Sequence, residues 1–359
     1  MRRGGPPPAA GIVPPLDRRR AALLALTLLG IAIVLVSIGR GAIAIPLTRI
    51  LEIFGALIGL GGEAGTDGET AIVLQIRAPR TALGFAVGGA LALAGAAMQG
   101  LFRNPLADPT LIGASSGGAL AAVAVIVLGG ALMGPVGSLG RALALPVVAF
   151  AGALIATFLV YRFASRHGET SVATMLLAGI GVAAIANAGI GILIFISDDD
   201  QLRTLNFWLL GSLAGGNWTL VLPVLAFLAL PIVLLPRYAA GLNAFALGEA
   251  EAGHLGYDVE QLKHRLIVLS ALAAGASVAV AGIIGFVGLV VPHLVRLALG
   301  ADHRLVMPAS ALSGGSLLVA ADILARTLVI PAELPIGIVT SLAGGPVFLW
   351  LLLRRRRGL

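Results

Sequence analysis

Long apolar runs separated by short polar connectors make up most of the chain. The runs cover residues 21–39, 81–101, 111–133, 142–161, 171–196, 218–235, 266–299, 305–325 and 336–353. None shows the strict apolar–polar alternation of a half-buried strand. Most are close to the ~20 residues that a helix needs to cross roughly 30 Å of hydrocarbon. The exception is 266–299, where a straight helix would be about 50 Å long. Gly282, Gly285 and Gly288 supply a place for it to break in two. The count is then ten. An even count also puts both arginine-rich ends, Arg18-Arg19-Arg20 and residues 354–357, on the same, cytoplasmic side.

The connectors predict further elements. Residues 1–20 form a Pro-, Gly- and Arg-rich leader expected to be disordered, set apart from a single transmembrane domain over 21–359. The 21–39 run is too long for a signal-peptide core and is kept as the first span. Residues 46–60 pattern as an amphipathic helix at the outer surface, 61–70 as an acidic glycine-rich loop, and 202–213, with Phe207 and Trp208, as an interfacial helix.

Composition agrees with this picture. The hydrophobic fraction is 58% and the mean hydropathy is +1.01, more apolar surface than a soluble fold can hide, so the chain is read as an all-α polytopic protein in contact with lipid. The 49 glycines suit close helix crossings. There is no cysteine, which removes disulfides and thiolate metal sites. The net charge of +7 is a matter of topology, since the ten-span arrangement places most of the 24 basic residues inside; no nucleic-acid partner is needed to explain it. Lys263, the only lysine, follows Leu262, so the chain carries no GxxxxGK[ST] phosphate loop. No Ser/His/Asp set, carboxylate pair or metal-ligand cluster is evident, so neither catalytic residues, metal ligands nor a resident cofactor is assigned.

Four polar features remain. The most charge-dense stretch is Leu247-Gly-Glu-Ala-Glu-Ala-Gly-His-Leu-Gly256 with its tail to Arg265. It reads as a short helix, a glycine break and a second short helix. Gly248, Ala252 and Gly256, spaced four apart, give it a bare face that another surface can approach. A cytoplasmic docking element is one reading and a solvated loop the other. Arg77-Ala-Pro-Arg80 precedes the second span and Arg326 ends the ninth, all on the outer side. Three guanidinium groups there suit a partner bearing carboxylates, although Asp322 lies one turn before Arg326 and could pair with it. Asn104-Pro-Leu-Ala-Asp-Pro109 reads as a stiff turn. Pro292 should kink the eighth span, with His293 beside it as a hydrogen-bonding anchor. Asp322 is the one acid placed well inside a span, thin material for an ion-coupled carrier, which is the competing class.

Taken in order, Arg77-x-Pro-Arg80, Asn104-Pro-Leu-Ala-Asp-Pro109, Leu247-Gly-Glu-x-x-Ala-x-x-Leu-Gly256, Gly285-Phe-x-Gly-Leu-x-x-Pro-His293, Ala321-Asp-Ile-x-Ala-Arg326 and Glu333-Leu-Pro-Ile-Gly337 resemble the permease family of ABC importers for ferric siderophores, haem and cobalamin. The resemblance implies a homodimer in the bacterial inner membrane with a translocation path between its copies. It also implies two cytoplasmic ATPase subunits, which bring ATP and Mg. They would bind the coupling element 247–263 through Leu247, Gly248, Glu249, Ala252, Leu255 and Gly256. A periplasmic binding protein would dock its acids on Arg77, Arg80 and Arg326. Asn104, Pro105, Asp108, Gly285, Pro292 and His293 would serve gating or structural roles. Residues 207–213 look most like haem members, which makes haem the expected cargo, ferric siderophore the next and cobalamin the third.

Overall fold

A computed structural model describes residues 16–41, 43–59, 67–132, 138–166 and 169–356. Ten apolar helices follow one another: α1 (Leu16–Gly39), α4 (Ala78–Leu101), α5 (Ala114–Leu132), α6 (Ser138–Ala164), α7 (Val172–Phe195), α9 (Trp218–Leu234), α12 (Val259–Ala281), α13 (Val287–Leu299), α14 (His303–Thr327) and α15 (Ile336–Arg356). Seven of these lie in helical segments long and apolar enough to cross a membrane by length alone; α5, α13 and α15 are the shorter three. The short helices are α2 (Leu47–Leu57), α3 (Asp67–Ala71), α8 (Asp199–Leu209), α10 (Ala239–Phe245) and α11 (Glu249–His254). Among the described residues the only strands are the two-residue β1 (Ser165–Arg166) and β2 (Glu169–Thr170), paired antiparallel between α6 and α7.

Buried side chains tie the helix ends together and define two faces. Arg19, at the start of α1, bridges to Asp302 at the start of α14, 2.9 Å away. At the other end Arg326 donates to the Ser37 carbonyl at 2.7 Å. Thus α1 and α14 run parallel, and α4 runs back along α14, its Arg77 flank donating to the Ile38 carbonyl at 2.8 Å. The face carrying the start of α1 also holds α11 and the β1–β2 turn. The far face holds α2, α8 and the start of α15. Helix α4 is enclosed by α9, α12, α13 and α14, whereas α1 and α7 leave most of their apolar surface uncovered.

The sequence places the second span at 81–101, but the helix starts earlier, running unbroken from Gly68 to Leu101. A π-helical stretch, Ile72–Arg77, connects α3 to α4, and Pro79 occupies its first turn. The changed register accommodates a residue without an N–H, so Arg77-Ala-Pro-Arg80 is helix rather than connector. Residues 67–70 of the expected loop are therefore helical, and 61–66 lie outside the described residues, as do 1–15 of the leader. The remainder of the leader, 16–20, is already α1. Likewise the tail of the polar island is not a separate helix. Asp258 caps α12 by accepting the Gln261 N–H at 2.9 Å, so the seventh span begins at Val259. The amphipathic helix stands as expected, with Ile50 and Ile53 of α2 buried against Ile38, Ile45 and Val73.

The break expected in 266–299 falls between Ala281 and Val287. Gly282 has φ +67°, and a Cβ there would stand 2.2 Å from the Trp208 carbonyl oxygen, so glycine is required on both counts. Residues 208–213 grip the break. The Ser212 N–H donates to the Ala281 carbonyl at 2.9 Å, and Gly337 and Ile336 at the head of α15 donate to the Leu210 and Gly211 carbonyls. Pro292 sits inside a continuous α13 rather than ending it. Its missing N–H frees the Gly288 carbonyl one turn earlier. Gly95 of α4 packs on that oxygen so tightly that a Cβ would lie 1.8 Å from it. Gly95→Ala is therefore expected to cost at least the roughly 1–3 kcal/mol of ordinary overpacking. Thermal melting in detergent checks this, with Gly68→Ala, which opens onto space, leaving the transition in place.

Candidate functional site

The chemistry of the chain is gathered at three levels. On the α1-start face, α10 ends in a tight turn and Gly248 (φ +143°) starts α11. Ala252 is buried against the body, while Glu249 faces the start of α12. Gly256 (φ +87°) closes the helix. Leu247 and Leu255 flank α11 and are 69% and 61% exposed. The six predicted coupling residues thus form one projecting knob with two apolar side chains on it. Nearby, the Asn243 side chain accepts the His303 N–H at 2.9 Å and donates to Asp302 at 2.7 Å. Burial opposes ionisation of Asp302. The Asn243 amide, the Arg304 N–H and Arg19 outweigh it and hold the carboxyl below its usual range. A lowered folded-state pKa contributes stability above the unfolded value near 4 and loses it as pH falls through the lower folded value. None of this network was legible in the sequence.

On the far face the three arginines come together, but not as open groups. Arg77 is 5% exposed and donates to the Ile38, Gly39 and Ile43 carbonyls, completing the C-terminal end of α1. Arg80 holds Asp322 with two nitrogens, at 3.0 and 2.8 Å, and Glu333 at 2.9 Å. Arg326 donates to the Ser37 carbonyl and hydroxyl, both at 2.7 Å, and lies 3.3 Å from Asp322. All three turn inward, because α1 and α14 end where α4 begins, and carbonyls and a buried acid are presented there. The pairing of Asp322 with Arg326 is present, and Arg80, 242 residues from Asp322 in sequence, is the partner that sequence reasoning missed. Of this cluster, Glu333 has the best access to solvent.

Between the faces lies an open cleft of 670 Å³, walled by α5, α7, the 104–112 turn and the α12–α13 break. Asp108, Ser115, Ser116 and Asn187 give it polar points; Ile180, Ile283, Phe286 and Leu289 give it apolar ones. The turn is built as its residues predict. The Asn104 side chain accepts the Leu106 N–H at 3.0 Å and Asp108 accepts the Thr110 N–H at 2.8 Å. Pro105 lies half-buried in the same turn. Gly285 lines the cleft with open space at its Cα, whereas Pro292 and His293 lie further along α13 and are not among the lining residues. The cleft opens along α7, the helix with the least of its surface covered.

Seven helical segments long and apolar enough to cross a membrane, followed and interleaved by three shorter apolar helices, make this a polytopic all-α membrane protein. Residues 27–354 match the FecCD transport family, and the chain belongs to that family. Its relatives include the hemin transport system permease HmuU of Yersinia pestis, 50% identical over 83% of this chain and 87% of the relative. The cobalamin import permease BtuC of Halobacterium salinarum is 44% identical over 79% and 74%. Among solved structures, an inward-facing metal-chelate type ABC transporter superimposes with TM-score 0.79 at 31% identity, covering 93% of this chain and 99% of that one. The expected fold class and the expected role, a permease subunit of an ABC importer, are both borne out.

Proposed function

We propose that the chain is the membrane subunit of a bacterial inner-membrane importer that moves haem, or a closely similar iron chelate, into the cytoplasm by alternating access. The 50% identity to a hemin permease across most of the chain carries the choice of cargo. In this reading the α1-start face is cytoplasmic. Two copies pair across α7 and the cleft, which becomes the shared path. Two ATPase subunits, which hold the ATP and Mg, grip the 247–256 knob of each copy. Closure of the ATPase pair on ATP draws the knobs together and opens the path outward. A periplasmic binding protein then delivers cargo, and hydrolysis resets the pair. The family also contains cobalamin permeases, so cobalamin is the second reading.

Uptake by the complete reconstituted transporter tests the cargo. Haem is expected to be moved at least tenfold faster than cobalamin or a ferric siderophore at equal concentration; the reverse order overturns the haem assignment.

The binding protein docks over Arg77, Arg80 and Arg326, its acids meeting the cluster that Asp322 and Glu333 now neutralise. Because Arg77 closes the end of α1, its replacement would disturb the fold itself. Glu333→Gln is cleaner, since it weakens a half-exposed competitor for Arg80. The expected result is several-fold tighter association with the binding protein at low salt, with the gain shrinking as salt is raised. Weaker association would contradict docking at this point.

A further inference from the structure

Lys263 is the only lysine of the chain, and the described function gives it no task. It is 3% exposed, at the foot of α12. Its Nζ lies 2.6 Å from Glu249 Oε2 on α11 and 2.8 Å from Glu260 Oε1 on its own helix. It also donates to the Thr170 carbonyl on β2 at 3.1 Å. An ammonium has three donors, and each has an acceptor here. Glu260 closes the ring, its Oε2 accepting the Thr170 N–H at 3.0 Å. A purely local ion pair would need only Glu260, one turn away. This one joins three chain segments, α11, α12 and β2. The joint between α11 and α12 contains Gly256 with φ +87°.

We infer that Lys263 is the positioning residue through which the 247–256 knob moves the walls of the cleft. Thr170 leads directly into α7, whose Gly179, Ala183 and Asn187 line the cleft. Lys263 itself lies in the second turn of α12, which ends at the break where Ile283 and Gly285 line the same cleft. A pull on α11 therefore reaches two cleft walls through one ammonium, instead of being absorbed at Gly256. The inference rests on the knob being where an ATPase subunit acts.

The test uses the complete transporter in vesicles and reads cargo moved per ATP hydrolysed. Lys263→Met is expected to retain ATPase association and ATP hydrolysis but to lower cargo per ATP at least tenfold; Lys263→Arg restores most of it. Glu260→Ala, which removes the Thr170 N–H acceptor and leaves Glu249 on Lys263, is expected to uncouple in the same direction. It serves as the second variant if the first fails to fold. In the cysteine-free chain, spin labels at Glu169→Cys and Gly253→Cys should keep one distance across nucleotide states and show a broadened one with Lys263→Met. Unchanged cargo per ATP in both variants overturns the inference, as does loss of ATPase association alone, which would make Lys263 part of the docking surface. Failure of the wild-type transporter to use ATP for uptake would instead overturn the importer reading.

Discussion

Leu255→Asp, alone and with Leu247→Asp, is expected to abolish capture of the ATPase partner while leaving the permease folded. Both side chains are among the most exposed apolar groups on the α1-start face, and neither supports the core. Burying one leucine in an interface is worth about 1.5–3 kcal/mol, roughly ten- to more than a hundredfold in affinity. A carboxylate placed there adds a desolvation cost without a partner. The double variant should therefore fall below detection in co-purification, with an unshifted melting transition. Ala252, which faces inward, gives the opposite pattern: Ala252→Asp should lower the melting transition first. Retention of the ATPase by the double variant would remove the knob as the docking surface.

The second large effect is at the far face. Asp322 neutralises Arg80 and Arg326, and all three are buried. Removing one partner of a buried ionic set costs about 3–5 kcal/mol, because the remaining charge is left without compensation. Asp322→Ala leaves Arg326 without its acid and Arg80 with Glu333 alone, so yield and melting temperature should fall together, with Asp322→Asn intermediate. Glu333→Ala, at a half-exposed pair, should cost no more than about 1 kcal/mol. Equal melting temperatures for Asp322→Ala and Glu333→Ala would contradict the assignment of Asp322 as the electrostatic centre of this face.

Run length was enough to read the long apolar helices, because it is a local property that lipid enforces. The break in 266–299 followed from its length together with the even parity of the arginine-rich ends, and Gly282 was among its expected sites. The left-handed Phe286 that ends it was not, since no local rule asks for a bulky residue there. The early start of α4 was hidden because Pro79 reads as a helix boundary, and only the π-helical register before it permits passage. The knob was legible from its charge density, although its tail belongs to α12. The far-face arginines were legible as a group but not in their engagement. Arg80 finds Asp322 across 242 positions, and Arg77 finds the carbonyls of α1. The Gly95 contact with Gly288 was not legible, because among 49 glycines the sequence does not show which two meet.

ATP-dependent haem accumulation in vesicles tests the central claim most directly. With the ATPase subunits and binding protein present, the account predicts uptake against a gradient that stops when ATP is withheld. With this chain alone, it predicts none. Accumulation against a gradient by the chain alone, driven by an ion gradient, would contradict it.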